Sequence, residues 1–224
     1  MGAFIQIDNP RLTEMLVGNP TTAITVHENL VKPLSAMLNA AQSHGFDLVF
    51  ASAHRSFESQ VKIWNDKVLG IRPIRNSQGQ IVDVQQLNET EIVFMILRWS
   101  ALPGTSRHQW GTDLDFFDRA NLPNDYRLQL VPQEYERGGP FYKAKCWLNE
   151  NAESFGFYFP YQKDRGGVMP EPWHISYRPL ANEILNNFNF EFFRAQLERS
   201  DFLLSKIALD HAQEIYDRFV MNVD

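Results

Sequence analysis

With 224 residues the chain has room for one large domain, or one domain with an appendage, and a second full domain is not expected. A hydrophobic share of 44%, with 17 Phe, 7 Tyr and 5 Trp, supplies a packed core and excludes disorder as the main state. Twenty-one basic residues face 27 acidic ones, a formal charge of −6 without any Lys/Arg block, so the footprint of a nucleic-acid binder is missing.

Apolar runs such as Ile92–Leu97 fall far short of the ~18 residues a membrane span requires. The opening Met1–Asp8 lacks a basic stretch followed by an apolar one, which makes the cytoplasm the default expectation and export the expectation for a chain trimmed of a leader. Cys146 is the only cysteine, so it has no intramolecular disulfide partner, and any metal must rest on His and carboxylate ligands.

In chain order, Leu30, Val31, Leu34, Met37, Leu38 and Ala41 recur at helical spacing and Gly45 terminates them. Leu48–Ala53 reads as a short strand, and Ser56 caps a helix carrying Val61, Ile63 and Trp64 as far as Gly70. Asn76-Ser77-Gln78-Gly79 sits between alternating flanks within Ile71–Val84 and predicts a hairpin or flap. Asn88 with Glu91 predicts a capped helix through Leu102, ended by Pro103-Gly104. Thr112–Phe117 alternates like a strand, and Gly139-Pro140 opens a helix that stops at Gly156. Pro170 and Pro172 force extended or turned backbone before a strand over Trp173–Tyr177. Beyond Pro179 the pattern is helical, with a stripe of Leu203, Ile207, His211, Ile215 and Phe219 and an interruption at Asn186–Phe190. Helices mixed with short, scattered strands predict an α+β fold rather than a doubly wound parallel sheet.

Two of the six histidines stand in chemically suggestive company. His108 lies in a glycine-punctuated loop, Pro103 to Gly111, that leads into a strand bearing Asp113 and Asp115; His174 follows Glu171-Pro172-Trp173. Two neutral imidazoles and one carboxylate are a sensible set of three protein ligands for zinc, with a fourth position open to water. Glu171 is placed to take a proton from that water, provided Pro172 bends the chain, because residues three apart on a strand face opposite sides.

These residues carry a family resemblance. The chain resembles the zinc D-alanyl-D-alanine carboxypeptidases and dipeptidases of bacterial cell-wall metabolism, including the vancomycin-resistance D,D-peptidases, in a wider group with lysostaphin-type endopeptidases and the hedgehog domain. Ser106, His108, Gly111 and Asp115 fill the pattern Ser-x-His-x-x-Gly-x-Ala-x-Asp, Glu171 and His174 fill Glu-x-x-His, and Ser52-Ala53-His54-Arg55-Ser56 with Gln60 is similar to Ser-Gly-Tyr-Arg-Ser-x-x-x-x-Gln. The resemblance implies zinc held by His108, Asp115 and His174, Glu171 as catalytic base, Arg55 on the scissile carbonyl or the terminal carboxylate, and Gln60 and Ser106 as substrate contacts. It also implies a small, mainly antiparallel sheet carrying the metal, covered by helices on one side. The catalytic domain would occupy residues 1–179 and a helical extension packed on it residues 180–224.

The substrate so implied is a peptidoglycan stem peptide or precursor ending in D-Ala. An L,D-carboxypeptidase, a D,D-dipeptidase, a cross-bridge endopeptidase and a non-catalytic zinc-containing module share the same parts, and Glu171 favours hydrolysis over the last. His54 and Asp113 depart from the family's Tyr and Ala. Strand parity puts Asp113 on the face of Asp115, either beside the metal or against Arg107. His27, His44 and His211 are assigned no chemistry, and Cys146 is read as a helix-core thiol.

Overall fold

The computed structural model describes residues 11–224, so the opening Met1–Asp8 lies outside the described residues. In chain order the elements are β1 (Leu12–Val17), β2 (Thr22–His27), α1 (Val31–Ser43), β3 (Leu48–Ser52), α2 (Phe57–Val68), β4 (Ile74–Arg75), β5 (Ile81–Val82) and α3 (Glu89–Leu97). They continue with β6 (Asp113–Asp118), α4 (Tyr142–Asn151), β7 (Phe157–Tyr158), β8 (His174–Tyr177), α5 (Arg178–Asn187), α6 (Phe190–Arg199), α7 (Ser205–Asp210) and α8 (Ala212–Ile215).

Short polar side chains start α2 and α3 as the sequence predicts. Ser56 accepts a hydrogen bond from the Ser59 amide at the head of α2, and Asn88 and Glu91 form a reciprocal capping box on α3. Helix α3 ends at Leu97 and not at Leu102: Arg98 is its C-cap, and the Trp99 amide donates three residues back to the Ile96 carbonyl at 3.0 Å, a tighter turn that stops the α-helical ladder. The Arg98 guanidinium meets Asp164 at 2.6 Å, and the Trp99 indole donates to the Asn76 carbonyl at 3.1 Å, pinning the β4–β5 hairpin.

The central sheet runs β3-β6-β8-β7 with every neighbouring pair antiparallel. Period-two alternation sends Leu114 and Phe116 of β6 and Ile175 of β8 into one core with Leu34 and Met37 of α1 and Ala144 and Leu148 of α4. The intervening residues, Asp113, Asp115, His174 and Ser176, therefore face the other way. The hairpin β1–β2 and strand β7 are elements that the sequence pattern left unassigned.

A second core joins Trp64 of α2 and Ile92, Val93 and Ile96 of α3 to Phe193, Leu197, Ile215 and Phe219 from the C-terminal helices. The Trp64 indole also donates to the Leu203 carbonyl at 2.8 Å. The continuous helical stripe expected there is broken twice: Leu204 takes a left-handed φ of 62° before α7, and His211 separates α7 from α8. Leu203 is correspondingly exposed, and His211 packs edge-on against Phe94 at 5.3 Å. Cys146 is half-buried on α4, not a core thiol.

Candidate metal centre and catalytic cleft

The register of β6 against β8 pairs Asp115 with His174 and Asp113 with Ser176, so two long-separated stretches deliver their polar side chains to one face. His108 arrives from a 3-10 turn, Arg107–Trp110, that closes on Gly111 at φ 71°. Glycine is required there twice over. The conformation is left-handed, and a β-carbon would sit 2.8 Å from the His27 amide nitrogen.

Each imidazole has a defined orientation. His108 Nδ1 lies 2.8 Å from the Ala53 carbonyl, which only accepts, so Nδ1 carries the proton and Nε2 presents its lone pair 3.3 Å from Asp115 Oδ2. His174 places Nδ1 3.1 Å from Asp115 Oδ1 and 3.3 Å from Glu171 Oε2, with its other nitrogen 3.5 Å from Asp113 Oδ1. The two rings stand edge-to-face with centroids 4.9 Å apart. One ligand atom from each of His108, Asp115 and His174 falls within 4.8 Å of the others.

The residues fit a divalent cation. Asp115 Oδ1 is buried without a hydrogen-bond donor, an expensive arrangement unless a positive charge faces it. Burial pushes the Asp115 carboxyl up, but His108 and His174 outweigh it and hold the group well below the carboxylate range. Burial likewise works against charge on His174, whereas Asp113, Asp115 and Glu171 raise it well above the ordinary imidazole value. The pocket is thus built for positive charge, and two nitrogens with one oxygen suit zinc.

Behind His174 lies a buried ion pair that parity alone placed only as an alternative. Asp113 both faces the imidazole and receives Arg107 Nε at 3.1 Å. Arg107 also donates to Tyr158 Oη at 2.9 Å and Ser176 Oγ at 2.7 Å, and the side chains of Arg107 and Asp113 are 3% and 0% exposed. Tyr158 and Ser176 carried no signal in the sequence, since their contact with Arg107 depends on sheet pairing over long separations. Tyr161, which packs edge-on to His174 at 5.1 Å, was equally invisible.

Glu171 meets the requirement of a bend. His174 N donates to the Glu171 carbonyl at 3.1 Å, closing a turn before β8 begins, and the Glu171 carboxylate swings beside the imidazole. Arg55 is braced by Ser52 Oγ at 2.8 Å and Gln60 Oε1 at 3.0 Å, while its amide donates to the His108 carbonyl at 3.2 Å. Gln60 differs from its expected place at the substrate. It is fully buried, and its amide donates to the Ala101 carbonyl at 2.7 Å, so both polar ends hold Arg55 and the loop rather than face the cleft. Arg55, Ser106, His108, Asp115, Glu171 and His174 all line one cleft of about 740 Å³. His54 is half-buried beside it, its imidazole lowered by burial and by His108.

A His/Asp/His cluster with a carboxylate at its side in an open cleft is a metallopeptidase centre. Residues 23–180 match the family model VanY, D-alanyl-D-alanine carboxypeptidase, and the chain belongs to that family. It is 35% identical over 122 residues to an uncharacterized protein of Haemophilus influenzae, covering 54% of this chain and 93% of that one. It is 31% identical over 147 residues to a D-alanyl-D-alanine carboxypeptidase of Enterococcus faecalis, covering 64% of this chain but 45% of the relative, so the match takes in less than half of that enzyme. Among solved structures, VanYB in complex with D-alanine-D-alanine superposes with a TM-score of 0.55 at 22% identity, covering 81% of this chain and 85% of that one. A zinc-bound VanY D,D-pentapeptidase mutant from a VanB-type resistance cassette gives 0.53 at 23% identity, covering 79% and 84%. These two likenesses establish the shared fold.

Proposed function

We propose that the chain is a zinc-dependent carboxypeptidase that hydrolyses the last peptide bond of peptidoglycan stem peptides ending in D-Ala. The observation that carries this reading is the placement of Glu171 Oε2 3.3 Å from His174 Nδ1, at the edge of the buried His108–Asp115–His174 cluster. His108 Nε2, His174 Nδ1 and an Asp115 oxygen are the proposed ligands. Zinc held there supplies a Lewis acid for the carbonyl and lowers the pKa of water towards ~7.

The chain's own groups supply the rest. Glu171 accepts the proton of the attacking water and returns it to the leaving amine nitrogen, acting first as base and then as acid. Arg55, held in place by Ser52 and Gln60, donates to the scissile carbonyl oxygen as negative charge grows on it, where a preorganised donor is worth most. Ser106 lines the cleft beside His108 and is assigned to substrate contact. The Arg107–Asp113 pair lies behind His174, with Asp113 Oδ1 3.5 Å from Nε2, and is assigned to positioning the ring.

The test is incubation of zinc-loaded protein with stem peptides ending in D-Ala-D-Ala or in one D-Ala, and with free D-Ala-D-Ala, followed by mass analysis. Release of a single D-Ala from the pentapeptide, abolished by chelation, supports the proposal. Turnover of the free dipeptide or the tetrapeptide alone assigns the same centre to a dipeptidase or an L,D-carboxypeptidase. Absence of turnover on all three overturns it.

A further inference from the structure

The reaction uses Arg55, but the cleft holds three more cations that it leaves unexplained. Helix α2 runs from the Ser56 cap beside Arg55 to a last turn that contains Lys67, and Gly70, at φ 71°, then reverses the chain into the β4–β5 hairpin. Lys67, Arg72 and Arg75 from this turn and hairpin line the same cleft as His108, Asp115 and Glu171. In a chain with a formal charge of −6, such a concentration of positive charge along one wall calls for a reason.

Internal pairing does not account for it. Arg72 reaches Asp66 at 3.2 Å, but Asp66 is already held by Lys62 at 2.9 Å. Arg75 donates to the Gly79 carbonyl at 2.7 Å, a neutral acceptor. Lys67 makes no ion pair and no side-chain hydrogen bond among the described residues, although it is half-buried. Burial, with Arg72, Arg55 and Arg75 beside it and Glu171 in opposition, pushes its ammonium down to about 8. A desolvated cation among like charges is costly unless an anion joins it.

We infer that Lys67, Arg72 and Arg75 form a carboxylate subsite of the cleft, distinct from Arg55, into which a carboxylate of the peptide substrate seats. The inference rests on the proposed peptidase reading. Near the scissile bond a stem peptide offers this chemistry from two sources: the free α-carboxylate of the leaving residue, and a carboxylate borne on the side chain of the third residue. The Trp99 indole holds the hairpin at the carbonyl of Asn76, the residue next to Arg75.

The test is calorimetric binding to zinc-loaded Glu171→Gln protein, which separates recognition from turnover. Three pentapeptides are compared: one with both carboxylates, its C-terminal carboxamide, and one whose third side chain ends in an amine alone. Lys67→Met is expected to weaken the first by about tenfold, the scale of a charge-assisted contact. The penalty disappears on whichever peptide lacks the carboxylate that seats there, which identifies the source. Lys67→Arg retains most of the affinity. Equal affinity of the parent and the Lys67→Met protein for the first peptide, with unchanged melting temperature and zinc content, overturns the subsite. So does a penalty that persists undiminished on both modified peptides. Failure of the peptidase reading registers separately, as absence of cleavage by the parent protein whatever its affinity.

Discussion

The carboxylate of Asp113 stands between two partners, His174 Nε2 at 3.5 Å and Arg107 Nε at 3.1 Å, and joins a metal-facing imidazole to a buried guanidinium. A carboxylate behind a ligating histidine fixes its tautomer and ring plane, and losing such a partner typically costs about 10–100-fold in metal affinity. Asp113→Asn is therefore expected to weaken zinc binding by about that factor, measured by competition with a chromogenic chelator. Unchanged affinity would remove Asp113 from the metal centre.

The same pair carries a stability prediction. Asp113→Ala strands the Arg107 guanidinium, whose side chain is 3% exposed, and breaking a buried pair from one side costs about 3–5 kcal/mol. Tyr158 and Ser176 still accept from Arg107, which places the loss at the lower end. Urea denaturation of zinc-free protein measures it without any contribution from the metal.

Glu171→Gln preserves shape and removes the base. The expected result is a fall in kcat of about 10²–10⁴-fold with zinc content retained, since general base catalysis contributes on that scale. Retained activity would move the base elsewhere in the cleft.

Lys67 gives the pH prediction. Its folded-state value of about 8 lies below that of an ordinary lysine, and a bound carboxylate raises it again. Peptide affinity is therefore level below about 8 and falls as pH climbs above it, because the free protein loses the proton first. Lys67 faces Arg55, Arg72, Arg75 and Glu171, and the step is assigned to Lys67, the group held down to about 8. A Lys67→Met protein is expected to lose this step, as read from the pH dependence of the dissociation constant.

What the sequence discloses about this site is local. The glycine at 111 and the spacing from Ser106 to Asp115 reflect a turn and a strand that neighbouring residues determine, and the helix caps at Ser56 and Asn88 are read from side chains within three positions. Gly111→Ala is accordingly expected to cost about 1–3 kcal/mol through the left-handed backbone, with the clash at His27 adding to it. That clash was not legible, because the β1–β2 hairpin that causes it has weak alternation and is fixed by tertiary packing. Gln60 was misplaced for a related reason. The resemblance implies substrate contact, and only the fold reveals that Arg55 and Ala101 occupy both its ends. The choice of Asp113 between the metal side and Arg107 was undecidable from parity, and the sheet register makes it both.

The most direct test of the account is zinc stoichiometry and affinity in the parent chain and in an Asp115→Ala variant, by titration against a competing chelator. One tightly held zinc per chain is expected, lost from the variant while its fold, judged by circular dichroism, persists. Zinc binding of equal strength in both proteins, or none in the parent, would contradict it.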